Sequence, residues 1–187
     1  MSATTASALG LKTGVWEIDP VHSTVEFLVK HLVVSKVRGR FNEFSGSVTI
    51  AENLLDSQVN ATIATASIFT NQEMRDNHLR SGDFLDAESY PTITFNSTSV
   101  EASGGDYVLN GDLTMHGVTK GVSLNLEFNG VAAHPMGGVR AGFTATGSIS
   151  RKDFGMEYNA PLEAGGVLLS DKITIELEIQ ATQPEEA

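Results

Sequence analysis

Apolar and polar residues alternate along most of this chain with a period of two. In residues 24–31 every second side chain is apolar as far as Val29, and His31 continues the same face. The alternation returns in residues 59–63, 93–95, 107–115, 122–128, 143–149 and 173–179. Period two belongs to β-strands, and clean alternation is typical of antiparallel sheets with one dry and one wet face. The pattern therefore predicts an all-β fold with about eight antiparallel strands.

The lengths of these segments indicate how the strands are arranged. Residues 23–33 and 106–116 exceed the usual strand length, and long strands favour a closed barrel over a sandwich because closure removes exposed sheet edges. The alternation slips by one residue between Phe41 and Phe44, which predicts a bulge or a bend. The interior of an eight-stranded barrel is filled by side chains or holds one small ligand, and alternation alone leaves both open.

A helical pattern interrupts the alternation once, near the middle of the chain. Thr70 and Glu73 have the spacing of a capping box, which predicts the start of a helix. Gly82 is typical of the end of a helix. We therefore predict a helix over residues 72–80 and one further helical turn over residues 83–87.

The predicted helix has one side that suits packing against the barrel. Met74 precedes His78 by four positions and Leu79 by five, and the three side chains are expected to face the barrel together. Further apolar contacts are expected from Phe84 and Leu85. The insertion, about residues 71–88, is predicted to cover one end or one wall of the barrel.

Length and composition limit the other possibilities. The 187 residues suit one domain, predicted over 14–182 between a flexible N-terminus (1–13) and a flexible tail (183–187). The absence of cysteine excludes thiol catalysis and disulfides. A net charge of −11 opposes binding to nucleic acid and to anionic membranes. Neither a signal peptide nor a membrane span is apparent, so a soluble cytoplasmic protein is predicted.

The charged residues of the insertion suggest two kinds of chemistry, and both have weak patterns. A metal site would use Asp76, His78, Asp83 and Asp86, but residues two apart on a helix do not face each other. An acid–base set would combine His31, His78 and His116 with Asp76 or Asp83. Neither a G-x-S-x-G nor an H-E-x-x-H motif is present. We therefore predict no bound metal and no catalysis.

Five ordered motifs resemble those of one known family. They are WEIDPVHSTVEFLVKH (16–31), GRFNEFSGSV (39–48), DNHLRSGDFLDAESYPTITFNS (76–97), GDLTMHGVTKGVSLNL (111–126) and RKDFGM (151–156). Together they resemble the YceI-like, polyisoprenoid-binding proteins. This resemblance implies an extended, lipocalin-like barrel of eight antiparallel strands. It also implies a long apolar tunnel that holds an isoprenoid or a similar amphiphilic chain.

Strand parity and the resemblance together predict which side chains line the tunnel. The predicted ligand-binding residues are Phe27, Val29, His31, Phe41, Phe44, His78, Leu79, Phe84, Phe95, Leu113, Met115, Leu124 and Phe143. Among them, His78 is predicted to reach inward and to hydrogen-bond the polar end of the ligand.

The predicted function is that of a carrier for a long-chain apolar or amphiphilic lipid. No cofactor is expected, and a polyisoprenoid or an isoprenoid quinone is the expected ligand. The alternative is a hydrolase or isomerase that acts on an apolar substrate inside the barrel, and a filled barrel serving as an interaction scaffold is a third reading. Nucleic acid and stable membrane insertion are not expected, while a homodimer is left open.

Overall fold

The computed structural model describes residues 5–32, 34–135, 137–161 and 168–183. These residues form eleven strand segments and one α-helix. The strands are β1 (Gly14–Ile18), β2 (Thr24–His31), β3 (Ser35–Phe41), β4 (Phe44–Ile50), β5 (Gln58–Ala64), β6 (Ile68–Phe69), β7 (Thr92–Ser103), β8 (Asp106–Met115), β9 (Val118–Ala133), β10 (Val139–Ser150) and β11 (Leu169–Thr182). The helix α1 spans Glu73–Arg80, and short 3₁₀ helices occupy Ser7–Leu9, Leu54–Asp56, Thr65–Ser67 and Arg151–Phe154.

The eleven segments make one closed antiparallel barrel of eight long strands. Three of the eight are bent, so that β1 continues into β2, β3 into β4, and β5 into β6. Neighbouring strands pair in chain order, and β11 closes the barrel by pairing with β1 at one end and with β2 along the rest. The prediction of an all-β, eight-stranded antiparallel barrel with one helical insertion is confirmed.

Bends and turns fall where the sequence departs from alternation. Residues 42–43 separate β3 from β4, which confirms the bend predicted between Phe41 and Phe44. Gly104 and Gly105 link β7 to β8 with φ values of 61° and 107°, a backbone conformation that L side chains avoid. The short turn between β8 and β9 uses His116 and Gly117, both at positive φ, as a type I′ hairpin turn requires.

One end of the barrel is packed shut. Trp16 is 1% exposed, and Ala6, Leu11 and Leu54 bury their side chains in the same cluster. The Trp16 indole N–H donates to the carbonyl oxygen of Lys12 at 2.9 Å. We call this end, defined by Ala6, Leu11, Trp16 and Leu54, the closed end.

From residue 5 onward, the N-terminal segment therefore differs from the flexible N-terminus predicted over residues 1–13. Ala6 accepts hydrogen bonds on its carbonyl oxygen from Leu9 and Leu11, and its own N–H donates to Glu52. Burial of two apolar side chains fixes this segment on the barrel from residue 5 onward. Residues 1–4 and 184–187 lie outside the described part of the chain.

The helix begins by a different cap from the one predicted. Gln72, not Thr70, is the N-cap residue, and its side-chain oxygen accepts the backbone N–H of Arg75 at 2.6 Å. Thr70 donates its hydroxyl to Asp76 instead. The prediction of a capping box by Thr70 and Glu73 is therefore wrong, because Asn71 adopts a φ of 61° and turns the chain before the helix starts.

The end of the helix also differs in detail. Ser81 caps it in an extended conformation, so Gly82 does not act through left-handed backbone. Residues 83–87 form hydrogen-bonded turns and not a further helical turn, with Asp86 at a φ of 44°. Met74 is 78% exposed, so its predicted contact with the barrel is wrong. Phe84 and Leu85 are buried, as predicted.

Candidate functional site

An apolar cavity of about 540 Å³ runs through the barrel. Its wall consists of the inward side chains of the strands, closed at one end by Leu9 and Leu11 and bordered at the other by α1. All thirteen residues predicted to bind ligand lie on this wall: Phe27, Val29, His31, Phe41, Phe44, His78, Leu79, Phe84, Phe95, Leu113, Met115, Leu124 and Phe143. Contact with a ligand stays a prediction for each of them.

The middle of the cavity has an almost purely aliphatic and aromatic surface. Phe95, Leu109, Leu124 and Ala145 are each less than 10% exposed and form one cluster around it. Such a wall makes no directional contacts, so it favours ligands by the apolar area that they bury. The 540 Å³ volume lies within the 300–1,000 Å³ usual for small-molecule sites.

Polar groups gather at the end of the cavity beside α1, which we call the mouth. It is bordered by His31, Arg75, His78, Tyr158 and Leu169. The His78 and Tyr158 rings are partly exposed, whereas the side chains of the closed end are buried. The mouth is therefore the end at which a ligand can enter and at which a polar head group can remain hydrated.

His78 is held at the mouth by three neighbours. Its Nε2 lies 2.7 Å from Oδ2 of Asp83, and its ring meets the rings of Phe84 and Tyr158 edge-on at 5.0 Å. The side chain of His78 is 42% exposed. Because Asp83 occupies Nε2, the other ring nitrogen, Nδ1, is the atom through which His78 can bind a ligand.

The remaining charged residues of the helix anchor it to the barrel. Asp76 is buried and accepts both the N–H and the hydroxyl of Thr70. The Arg75 guanidinium donates to the hydroxyl and carbonyl oxygens of Thr70 at 2.6 and 2.7 Å. Arg80 donates to the carbonyl oxygens of Ala66 and Ile68. These bonds fix α1 over the mouth, so most of its charge cluster is structural.

A buried arginine supports the segment that carries Tyr158. Arg151 is 3% exposed, and its guanidinium donates to the carbonyl oxygens of Met156 and Tyr158 at 2.7 Å each. It also contacts Asp171 at 3.3 Å. Buried charges need such partners, because an unpaired one is strongly destabilising. Arg151 therefore positions the 151–158 segment at the mouth.

The structure separates the residues of the proposed acid–base set. His31 and His78 border the cavity, but His116 lies in the turn between β8 and β9, where its Nδ1 is 2.9 Å from the Phe154 carbonyl oxygen. Asp76 is occupied by Thr70, so only Asp83 pairs with a histidine of that set. Within the described residues, no three His, Cys, Asp or Glu side chains group in a way that could hold a metal ion. No helix of this part of the chain is long and apolar enough to span a bilayer.

Sequence reasoning missed three residues at the mouth and one at the closed end. Tyr158, Arg75 and Leu169 border the cavity, and Trp16 is the largest of the fully buried side chains. Trp16 and Tyr158 have simple signals, since each is a large aromatic residue within or just beyond a quoted motif. Arg75 has no such signal, because its place depends on Thr70, whose carbonyl oxygen faces the guanidinium only after folding.

Two comparisons with known proteins agree with this geometry. The UPF0312 protein of Photorhabdus laumondii is 44% identical over 155 residues, which cover 82% of this chain and 79% of that protein. A crystal structure of a Campylobacter jejuni YCEI protein is 32% identical, covers 83% of this chain and 90% of its own, and superposes with a TM-score of 0.71.

A more distant structure shares the fold. A polyisoprenoid binding domain from Saccharophagus degradans is 16% identical, covers 92% of this chain and all of its own, and gives a TM-score of 0.65. The family model for the YceI-like domain matches residues 16–181, which include every strand of the barrel except the ends of β1 and β11. With its eight-stranded barrel and the sequence match along nearly its full length, the chain belongs to the YceI-like domain family.

Proposed function

We propose that this protein binds and carries one long-chain apolar or amphiphilic lipid of the isoprenoid type inside its barrel. The observation that carries the proposal is the 540 Å³ cavity, whose wall is apolar from the closed end to the mouth. A packed core would leave no such space, since side chains normally fill protein interiors at crystal-like density. The proposed ligand class is further supported by the Saccharophagus degradans domain, a protein of the same fold that is described as binding polyisoprenoids.

The physical chemistry of the cavity suits a flexible hydrocarbon chain. Each buried CH₂ group contributes about 0.8 kcal/mol, so a chain needs no directional contact with the wall. One methylene more or less therefore changes affinity only about fourfold, which makes the site tolerant of related lipids. Discrimination then depends on cavity length and on the polar groups of the mouth, among which His78 is the candidate for contact with a head group.

The exposed position of the candidate acid–base pair favours binding over catalysis. The His78–Asp83 pair is the candidate acid–base pair at the mouth, and Asp83 is 53% exposed. Catalytic acids and bases are usually desolvated and aimed at a reacting atom, while this pair lies at the exposed edge. A carrier that does not alter its ligand is the simpler function for such a site. The cytoplasmic location stays a prediction.

Calorimetric titration of delipidated protein with geranylgeraniol tests the proposal. We expect saturable binding of about one molecule per chain with a negative heat-capacity change, the marker of apolar burial. The recovered lipid should be chemically unchanged after prolonged incubation. A protein that does not bind geranylgeraniol refutes the proposal, and turnover lost on His78→Ala would establish the enzyme instead.

A further inference from the structure

The hairpin of β2 and β3 next to the mouth concentrates positive charge on an acidic protein. From Thr24 to Phe41 it contains four of the twelve Lys and Arg residues but only one of the 23 Asp and Glu residues, Glu26. Lys30 and Lys36 are exposed and directly opposite each other in the pairing of β2 with β3. Like charges in opposite positions of a sheet are destabilising. An anionic partner would relieve the repulsion between these two lysines.

The positive band continues onto the next strand. Lys172 of β11 is exposed and adjoins Ile173, which pairs with Val29 of β2. Among the described residues no carboxylate lies within ion-pair distance of Lys30, Lys36 or Lys172. These three cations, which we call the lysine band, are therefore available to an external partner.

Other charges near the mouth set the direction of approach. Arg38 is neutralised by Glu26 and Glu176, whose carboxylates raise the pKa of its guanidinium. The helix side is acidic, with Glu73, Asp83, Asp86 and Glu88 on α1 and the turns after it. An anionic surface would thus meet the hairpin side of the mouth first, and it would be repelled elsewhere by a chain of net charge −11.

The tip of the same hairpin exposes apolar side chains. Val34 is 85% exposed and Leu32 is 38% exposed. Leu32 has a φ of 54°, which is unfavourable for a bulky residue and is far better suited to glycine or asparagine. Its N–H is bonded to the carbonyl oxygen of Leu168, which itself lines the cavity. The tip of the hairpin therefore presents apolar side chains to solvent beside the mouth.

We propose that this hairpin docks the mouth of the barrel onto an anionic phospholipid bilayer. The lysine band would lie against the lipid head groups, while Leu32 and Val34 would enter the interfacial region. Basic residues beside short apolar insertions are the usual composition of reversible membrane anchors. The proposal rests on the proposed function, since it gives a lipid a direct path between the bilayer and the cavity.

A bilayer fits this surface better than other anionic partners. Single-stranded nucleic acid is normally bound through basic residues and aromatic side chains on which bases stack, and duplexes are bound through phosphate contacts, so neither accounts for the aliphatic Leu32 and Val34. An acidic protein partner would form ion pairs with the lysine band, but its charge would not account for the exposed Leu32 and Val34. Because this chain is itself acidic, its overall affinity for an anionic surface is low, which suits transient association with the membrane.

Vesicle flotation with matched charge variants tests the docking. The double variant Lys30→Gln/Lys36→Gln removes two charges beside the mouth. The control Lys12→Gln/Arg140→Gln removes two charges beside the closed end. Vesicles contain phosphatidylcholine alone or a mixture with phosphatidylglycerol, at low and at high salt. We expect the wild type to float with the mixed vesicles only, and less at high salt.

The two double variants should differ strongly. Each lysine near an anionic surface contributes about five- to sixfold in partition, so the hairpin variant should bind about thirty-fold more weakly, and the control should match the wild type. Val34→Ser should weaken binding by about tenfold. Loss of binding in both double variants alike, or no flotation of the wild type, would overturn the docking proposal.

Ligand binding without vesicles separates this inference from the function on which it rests. Geranylgeraniol delivered from cyclodextrin should bind equally to the wild type and to Lys30→Gln/Lys36→Gln, while loading from mixed vesicles should be slower in the variant. Geranylgeraniol binding without flotation refutes the docking alone. Flotation without geranylgeraniol binding refutes the proposed function and leaves the docking standing. Capture of the wild type by an acidic protein but not by vesicles would assign the hairpin to a protein partner.

Discussion

The two ends of this barrel are built from the same eight strands, yet they differ in packing. At the closed end Trp16 and its neighbours are 0–6% exposed, and the chain before β1 adds Ala6 and Leu11 to the cluster. At the mouth the side chain of His78 is 42% exposed and Tyr158 is 39% exposed, and α1 is attached mainly by the bonds that Asp76 accepts from Thr70 and that Arg80 donates to the Ile68 carbonyl oxygen.

Under the proposed function, this difference places stability at one end of the barrel and ligand binding at the other. Apolar burial at the closed end stabilises the barrel without contributing a ligand-entry route. Hydrogen bonds at the mouth hold α1 in place with little burial of apolar surface, and they leave the cavity accessible. Regions with little buried apolar area are also the ones that open most easily, as a carrier requires of its entrance.

Truncation of one aromatic residue at each end should give the largest contrast. Trp16→Ala should lower the free energy of unfolding by about 3–5 kcal/mol, because it opens a cavity in a fully packed cluster. Tyr158→Ala should cost less than about 1.5 kcal/mol, because its ring is 39% exposed. Urea denaturation followed by circular dichroism measures both. Equal losses would mean that the mouth is as tightly packed as the closed end.

Enlarging one alanine in each region sharpens the same contrast. Ala181→Phe places a ring in the packed closed end, where its parent residue is 0% exposed, and should cost about 1–3 kcal/mol or more. Ala145→Phe places the same ring in the open middle of the cavity and should cost less than 1 kcal/mol, since there is space to receive it.

Thermal unfolding of the two phenylalanine variants provides the measurement. A larger loss of stability in Ala145→Phe than in Ala181→Phe would contradict the existence of an open cavity in solution. A further control, Ala61→Phe, places the ring on another strand of the cavity wall and should resemble Ala145→Phe.

Removal of the proposed head-group contact of His78 should have a moderate effect on ligand affinity. His78→Leu should weaken binding of geranylgeraniol by about 0.5–1.5 kcal/mol, the usual net value of one hydrogen bond, because the partly exposed ring is only partly desolvated. Binding of squalene, which has no polar end, should be unchanged. Calorimetric titration of both ligands distinguishes the roles, since equal losses would mean that His78 only supports α1.

The smallest effect should come from Asp19, at the corner between β1 and β2. Its carboxylate accepts the Val21 N–H and lies 2.8 Å from Nδ1 of His22, and this bond to His22 lowers the pKa of Asp19. A lowered pKa stabilises the folded state above the ordinary aspartate pKa of about 3.9, and this stabilisation is lost as pH falls through the folded value.

Asp19→Asn should therefore cost about 0.5–1 kcal/mol at pH 7 and almost nothing near pH 2. Denaturation curves of both proteins at the two pH values provide the check. A cost that persists in acid would show that the carboxylate charge is not what stabilises this corner.

Much of this molecule could be predicted from its sequence, because strands of a barrel carry the period-two pattern over their whole length. The parity of Phe27, Phe95 and Leu124 is fixed by that pattern, and the barrel then places their side chains on the cavity wall. Motif resemblance supplied the expectation of a tunnel, which alternation alone left open.

The details of the helix could not be predicted in the same way. Met74 and His78 are four residues apart, yet Met74 points to solvent, because the face of the helix that packs on the barrel is fixed by the hydrogen bonds of Asp76 with Thr70 and of Arg80 with Ile68. Thr70 has the spacing of an N-cap residue, but its hydroxyl donates to Asp76 instead. This hydrogen bond depends on the path of the chain at Asn71. Such competition between polar partners is settled by tertiary contacts and leaves no periodic trace in the sequence.

Mass spectrometry of organic extracts from the purified protein tests the central claim most directly. The wild type and Ala145→Phe would be purified identically without detergent, extracted, and analysed for lipid per chain. We predict about one isoprenoid lipid per wild-type chain and a large reduction in Ala145→Phe, which keeps its fold but loses space in the cavity. A wild type that carries no lipid, or a blocked variant that carries as much as the wild type, would contradict the account.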